Sequence, residues 1–459
     1  MNLTELLSRP EGKDLEFKRD LSSPDGALRA IVAFANTSGG TLLVGVEDGT
    51  RRVRGVKDVL AQEERLTNLI DHQITPRLVP EIEILPWRRT NILLVRVHPS
   101  PGRPHYLKKL GFPEGVYVRI GSTNRRADPS MIEEMGRFAR QESFDEQPIA
   151  ELNSEAIDFR VASELFQPHR KLQRTDLRAL RLLTKHQGKD VPTVGGLLLF
   201  GRPSERMEFF PDAWIQAGRF SGTDRRHILD SVEIRSLPAQ AVEDAIVFVR
   251  KYLAREMVIG AARRSDKWTL PAVALREAVV NAVVHADYAQ RGAPIRLALF
   301  DDRLEVENPG ILPFGLTVED LWQGISRLRN RVIGRVFQEL GLIEQWGSGI
   351  QRMASACREA GLPPPVLEEI GARFRVTLSL IPQERPGLDE RDEKVIELLA
   401  DGEGHSTQEI ARHLQLSTRA TRSRLRSLID RSLVVEVGSG PKDPRRLYFV
   451  AMSGGHERH

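Results

Sequence analysis

Glu277, Asn281 and His285 recur four residues apart inside the stretch 274–288, Ala-Leu-Arg-Glu-Ala-Val-Val-Asn-Ala-Val-Val-His-Ala-Asp-Tyr. Helical spacing puts this acid, amide and imidazole on one stripe, while Leu275, Val279, Ala282, Val283 and Ala286 can face a core. A solvated face would carry mixed lysine and glutamate. Three such groups between apolar neighbours fit either a polar stripe lining a ligand pocket or a partly buried helix whose polar groups are satisfied internally.

The 459-residue chain can form about three domains, each able to bury its own core. Hydrophobic residues make up 40% and charged ones 28%, and no apolar run approaches bilayer length, so no membrane association is expected. The opening Met-Asn-Leu-Thr-Glu-Leu-Leu lacks the features of a signal peptide, and the single cysteine, Cys357, excludes an internal disulfide and a cysteine-built zinc site. A cytoplasmic location is the expectation. The net charge of +4 permits nucleic-acid binding, so the placement of the positive charge matters.

Residues 1–145 read as an α+β domain. A charged strand around Glu16 is followed by a helix at 27–35, a Gly39-Gly40 turn and an apolar strand at 41–46 that ends in Glu47-Asp48-Gly49. A helix near 62–74 and strands at 81–85, 91–97 and 115–120 complete it. Two strands and a helix thus bring carboxylates to strand ends.

The motifs Glu11…Glu16-Phe-Lys18, Ala33-Phe-Ala-Asn-Thr-Ser-Gly-Gly40, Gly45-Val-Glu-Asp-Gly49 and Tyr117-Val-Arg-Ile-Gly-Ser122 occur in an order that resembles the Schlafen AlbA-type domain. The resemblance implies a module that binds RNA or DNA, some relatives of which cleave tRNA or rRNA with three acids and a divalent metal. The matching acids are Glu11, Glu16 and Asp48, with Glu47 competing for the third place; they would hold Mg²⁺ or Mn²⁺. The alternative is structural: Glu16 and Lys18 share a strand face and can pair, and Asp48-Gly49 is ordinary turn chemistry. Binding is expected above cleavage, with Arg51, Arg52, Arg54, Lys108, Lys109, Arg125 and Arg126 as candidate phosphate contacts.

Residues 146–265 read as a connecting α/β segment without a catalytic constellation. Helices are expected at 156–166, 175–183 and 239–254, a buried strand within 192–203, and a second strand at 213–220.

In residues 266–382 the polar-striped helix precedes a strand at 295–300, a turn at Asp301-Asp302-Arg303 and a strand at 304–307. Asn308-Pro-Gly310 is expected to break the sheet. After a helix at 332–340, Gly347-Ser-Gly349 opens another, where small residues permit close backbone approach and leave amides free for phosphate.

This order resembles the GHKL-type ATPase fold shared by gyrase, histidine kinases and the mismatch-repair protein MutL, in the divergent form found in bacterial Schlafen-like regulators labelled as related to RecG. The resemblance implies that Glu277 is a general base, that Asn281 holds the Mg²⁺ carried with ATP, that Asn308, Pro309 and Gly310 lie near adenine, and that Gly347, Ser348 and Gly349 hold phosphate. The usual adenine-reading Asp-x-Gly-x-Gly is replaced by Glu307-Asn-Pro-Gly310, which leaves Glu307 as an open substitute and makes ATP binding a firmer expectation than rapid hydrolysis. His285 can either reach the pocket or satisfy a core hydrogen bond, and the second is the expectation. The chain has no Gly-x-x-x-x-Gly-Lys-[Ser/Thr] loop, so a helicase motor is not expected.

Residues 386–459 read as a winged helix-turn-helix: helices at 389–400, 407–414 (capped by Ser406) and 418–432, then strands at 433–437 and 446–450 around a basic tip. Ser417, Thr418, Arg419, Thr421 and Arg422 are placed to reach base edges, and Lys442, Arg445 and Arg446 to reach phosphate or the minor groove. The expected whole is an α+β multidomain protein: an AlbA-like α/β domain, a GHKL-like α/β sandwich and a winged helix. As a function we expect a bacterial ATP-binding, DNA-binding transcriptional regulator, with a Schlafen-like metal-dependent ribonuclease as the alternative. A homo-oligomer is expected, since winged-helix regulators commonly occupy two half-sites.

Overall fold

The computed structural model describes residues 3–253, 270–344, 347–382, 389–399, 404–430, 433–437 and 446–450. The chain divides into two compact units, residues 1–382 and 383–459. Among the described residues no helix is long and apolar enough to cross a membrane.

The N-terminal part of the first unit is built on a four-stranded sheet. Its order is Leu15–Lys18, Gly40–Val44, Thr90–Val97, Glu81–Trp87, with the first pair parallel and the others antiparallel. A parallel pair needs a crossover. Helix Asp25–Asn36 supplies it and buries every residue from Ala30 to Asn36. The glycine pair after it is required by packing. A Cβ on Gly40 would fall 2.5 Å from the Phe34 ring, and Gly39 has φ +80.

A six-stranded sheet organises the rest of the unit, in the order Ile228–Ile234, Ile215–Phe220, Ile295–Leu299, Arg303–Pro309, Arg373–Ser379, Val366–Ile370. Its first two strands come from the expected connecting segment, so a single sheet and a single core run across the division placed at residue 265. The strand Arg303–Pro309 pairs with Arg373–Ser379 as far as Pro309, so Asn308-Pro309 continues the sheet where a break was expected. Helices Pro238–Leu253, Ala272–His285, Arg331–Glu339 and Gly349–Glu359 bury their apolar faces in the same core.

The run expected as a buried strand is a helix, Val194–Phe200, with every residue buried. Thr193 caps it by accepting the Gly196 amide at 2.9 Å, and Gly195 and Gly196 lie against Val332 and the Leu182 backbone. A short, wholly apolar run has no period to separate the two conformations. The helix expected at 175–183 stops at Ala179, and Leu183–His186 begins a hairpin with Lys189–Pro192.

The second unit has helices Glu390–Leu399, Thr407–His413 and Thr418–Asp430 and a small sheet ordered His405–Ser406, Leu447–Val450, Val434–Val437. Val395, Leu399, Ile410, Leu425, Leu428, Val434 and Tyr448 form its core. Ser406 and Glu409 make a reciprocal capping box.

Candidate functional site

Helix Ala272–His285 buries Ala274, Leu275, Ala278, Val279, Ala282 and Val283. Glu277, Asn281 and His285 occupy its other stripe and line a cavity of about 400 Å³. The pocket reading of this helix is therefore the one the fold realises, and His285 is among the residues that line the cavity. Gly347, Ser348 and Gly349 form a facing wall, while Asn308, Phe374 and Val376 contribute from the sheet. Apolar walls with a few convergent polar groups describe a small-molecule site.

Close packing accounts for the glycines. Gly347 has φ +65, and a Cβ there would lie 2.5 Å from the Gly324 carbonyl oxygen; a Cβ on Gly349 would lie 2.6 Å from Glu277 Oε2. Glu277 Oε1 accepts from Arg352 Nη2 at 2.6 Å, and Arg352 also pairs with Glu344. Burial raises the Glu277 pKa, with Glu344 adding to the effect and Arg352 opposing it. Burial likewise drives His285 down to about 4, helped by the Arg329 charge, so the imidazole is neutral near pH 7.

Two asparagines tie down the C-terminal end of this helix, where carbonyls lack helical partners. Asn330 Nδ2 donates to the Val284 and Ala286 carbonyls at 2.9 and 2.7 Å, and Asn308 Nδ2 to those of His285 and Pro309 at 3.4 and 3.1 Å. Asn308 lines the cavity, whereas Pro309 and Gly310 lie outside its lining. Gly310 (φ +93) makes room for Arg329, whose Nη1 would be 2.4 Å from a Cβ there. Glu307 alternates with the core residue Val306 and so faces away from the cavity. Burial acts to raise its pKa, but hydrogen bonds from Arg225 at 2.7 Å and Arg375 at 2.6 Å outweigh this and hold it low. Its carboxylate is thus absent from the cavity lining and engaged by two arginines.

Of the N-terminal acids, Glu16 and Glu47 are ion-paired. Glu16 is 5% exposed, with one oxygen paired to Lys18 and the other to Arg119. Arg119 is fully buried, donates also to Gly12, Leu15 and Asn124, and lies over the Phe34 ring. Glu11 Oε1 accepts the Phe17 amide at 2.6 Å; burial raises its pKa, and the charges of Glu16 and Asp48 add to the rise. Glu47 is engaged by Arg54 and Thr50, and Asp48 is exposed. Among the described residues no three His, Cys, Asp or Glu side chains are grouped to hold a metal. With both Glu16 oxygens committed to cations, this set does not fit Mg²⁺ or Mn²⁺, and the structural reading of Glu16 and Lys18 is the one observed.

Several expected phosphate contacts are also internally engaged: Arg54 pairs with Glu47, Lys109 with Asp25, and Arg51 donates to the Ser8 carbonyl. Arg125 and Arg126 are exposed on the hairpin Tyr117–Ile120 with Thr123–Arg126.

In the winged-helix unit Ser417, Thr418, Arg419 and Arg422 are exposed at the start of helix Thr418–Asp430. Thr421 is buried, and its hydroxyl donates to the Ser417 carbonyl at 3.1 Å, which removes it from the exposed set. Arg424 turns inward to Asp389 and Asp392. Arg446 pairs with Glu436 across the strand pair at 2.9 Å, while Lys442 and Arg445 lie outside the described residues. Arg119, held only within the motif Tyr117–Ser122, and Asn330 and Arg352 were given no role in the sequence reading. Arg352 carried a signal, since it follows Ser348 by one helical turn.

Three family models match the chain: "Schlafen, AlbA_2" over residues 11–128, "Putative ATP-dependent DNA helicase recG C-terminal" over 292–378, and "Winged helix-turn-helix DNA-binding" over 388–435. The second begins after helix Ala272–His285, so the placement of Glu277 and Asn281 rests on the geometry above. Among solved structures, the DIP2311 protein from Corynebacterium diphtheriae is similar at 21% identity, covering 97% of this chain and 95% of its own, with a TM-score of 0.43. The N-terminal domain of a RecG-related protein from Nitrosomonas europaea is similar at 27% identity over 28% of this chain and 94% of its own, with a TM-score of 0.23. No curated protein matches the chain.

Proposed function

We propose that this protein, which joins a Schlafen AlbA_2 module, a RecG-related ATPase-like module and a winged helix-turn-helix module, is an ATP-binding regulator whose contacts with DNA depend on the bound nucleotide. The observation that carries the reading is the meeting of the Glu277 and Asn281 stripe with the Gly347–Gly349 turn around one cavity. Glycines bring backbone close to a ligand on one side, and the helix offers an acid and an amide on the other. Asn281 would hold the Mg²⁺ that accompanies ATP, which supplies charge neutralisation at the phosphates. Glu277, desolvated and close to the glycine turn, is placed to hold a proton. The residues present thus fit the group.

A route out of the cavity supports the regulatory half. Arg327 and Leu328 line the cavity, and Arg327 also lies over the Phe138 ring of helix Pro129–Ala139, 4.7 Å from its centroid. Arg329 Nη2 reaches Glu134 of that helix at 3.2 Å, and the Arg331, Val332 and Ile333 amides donate to Asp145. A ligand that moves the Arg327–Asn330 segment would act on groups next to the AlbA-type module. Such a ligand shifts the equilibrium only through unequal affinity for two arrangements, so coupling is what must be measured.

The test is DNA binding by the full chain with ATP, with ADP and without nucleotide, for wild type and Glu277→Ala. A change in affinity on adding ATP that Glu277→Ala alters is the expected result. DNA affinity indifferent to ATP, ADP and this substitution sinks the proposal.

A further inference from the structure

The cavity has to accommodate the negative charge of a nucleotide, and its described lining offers few cations. Arg327 and Arg352 are the arginines on it, and His285 is held neutral by burial. Arg327 is occupied elsewhere, donating to the Phe314 carbonyl at 3.0 Å and lying over Phe138. Arg352 instead sits between two carboxylates that themselves line the cavity, Glu277 at 2.6 Å and Glu344. One guanidinium facing two acids leaves the spot net negative, so a triphosphate gains a cationic contact there only where the arginine turns toward it.

The two pairs differ in solvation. The Glu344 side chain is 61% exposed and the Glu277 side chain 15%. An exposed carboxylate regains water when its partner leaves, so the Glu344 pair is the weaker tether. The Nε of Arg352 is buried and, among the described residues, has no hydrogen-bond partner, so its present arrangement leaves that donor unsatisfied. A guanidinium prefers a two-pronged contact with phosphate oxygens over two separate single contacts.

We propose that Arg352 is the phosphate-recognising residue of this cavity, and that nucleotide entry moves its guanidinium from Glu344 and Glu277 onto the terminal phosphates. The proposal rests on the reading of the cavity as a nucleotide site. In the empty cavity Arg352 holds Glu277 as its counter-ion, and in the filled one Glu277 is released. Burial then acts on Glu277 without the opposing cation, and its carboxylate accepts a proton more readily. Arg352 thereby links phosphate recognition to the availability of the base.

The test uses calorimetric titration of the full chain with ATP and with AMP in the presence of Mg²⁺. Arg352→Ala is expected to weaken ATP at least tenfold and AMP much less, with Arg352→Lys falling between, because a point charge replaces the fork. Glu344→Gln, which removes a competing anion from an exposed position, is expected to strengthen ATP binding several-fold. ATP affinity unchanged by Arg352→Ala, or an equal proportional loss for ATP and AMP, overturns the assignment while leaving the nucleotide reading in place. Wild type that binds neither ATP nor AMP overturns both.

Discussion

The Asp145 carboxylate accepts the Val332 amide at 2.7 Å, so an acid beyond the AlbA_2 match at residues 11–128 caps a helix 187 positions later in the chain. It also accepts the Arg331 and Ile333 amides and the Ser143 hydroxyl. Helix Arg331–Glu339 follows directly on the segment that walls the cavity.

Asp145→Ala removes this cap. Loss of an N-terminal cap costs about 1–2 kcal/mol, read as a lowered denaturation midpoint. Because the helix start is anchored beside Asn330, the substitution is also expected to weaken ATP binding in calorimetry. An unchanged midpoint would show that the cap contributes nothing.

Glu16 and Arg119 form a buried pair, and removing one partner strands a charge. Arg119→Ala and Glu16→Ala are each expected to destabilise the first unit by about 3–5 kcal/mol in denaturant unfolding. Glu16→Ala is expected to alter folding without abolishing any metal-dependent cleavage of tRNA. Loss of a Mn²⁺-dependent cleavage at unchanged stability would restore the nuclease reading.

The pH dependence of stability should report His285. Its folded pKa of about 4 lies below the unfolded value of about 6.5, so the unfolded chain binds the extra proton first as pH falls. The contribution of this group is present above about pH 6.5 and is lost as the pH drops toward 4, on the order of 1–3 kcal/mol. His285→Gln is expected to flatten the stability curve across that window.

On helix Thr418–Asp430 neighbouring arginines should behave differently. Arg419→Ala and Arg422→Ala are expected to weaken DNA binding and to reduce its salt dependence by about one counter-ion each. Arg424→Ala breaks the pairs with Asp389 and Asp392 and should lower the melting temperature of the winged-helix unit. Thr421→Ala, with its hydroxyl already bonded to Ser417, should leave the salt slope unchanged.

Local pattern was enough for much of this protein. The fourfold spacing of Glu277, Asn281 and His285 defined a helix stripe, the Gly-Gly and Gly-Ser-Gly motifs marked turns, and Ser406 announced a helix start. These signals are legible because periodicity, chain reversal and capping depend on residues within one or two turns of each other. The three modules followed from motif order.

Pairing across long stretches of chain settled the rest. Residues 194–200 became a helix because Gly195 and Gly196 fit against distant surfaces, and their composition alone suits either conformation. Glu307 faces Arg225 and Arg375, and Glu16 faces Arg119, because strand register chooses the side on which each acid lands. The partners of a charged side chain are set by segments far away in the sequence, so an acid looks equally free in a motif whether the fold gives it a cation or leaves it open. Glu277 shows both levels. Spacing placed it on the stripe, and packing placed Arg352 in front of it.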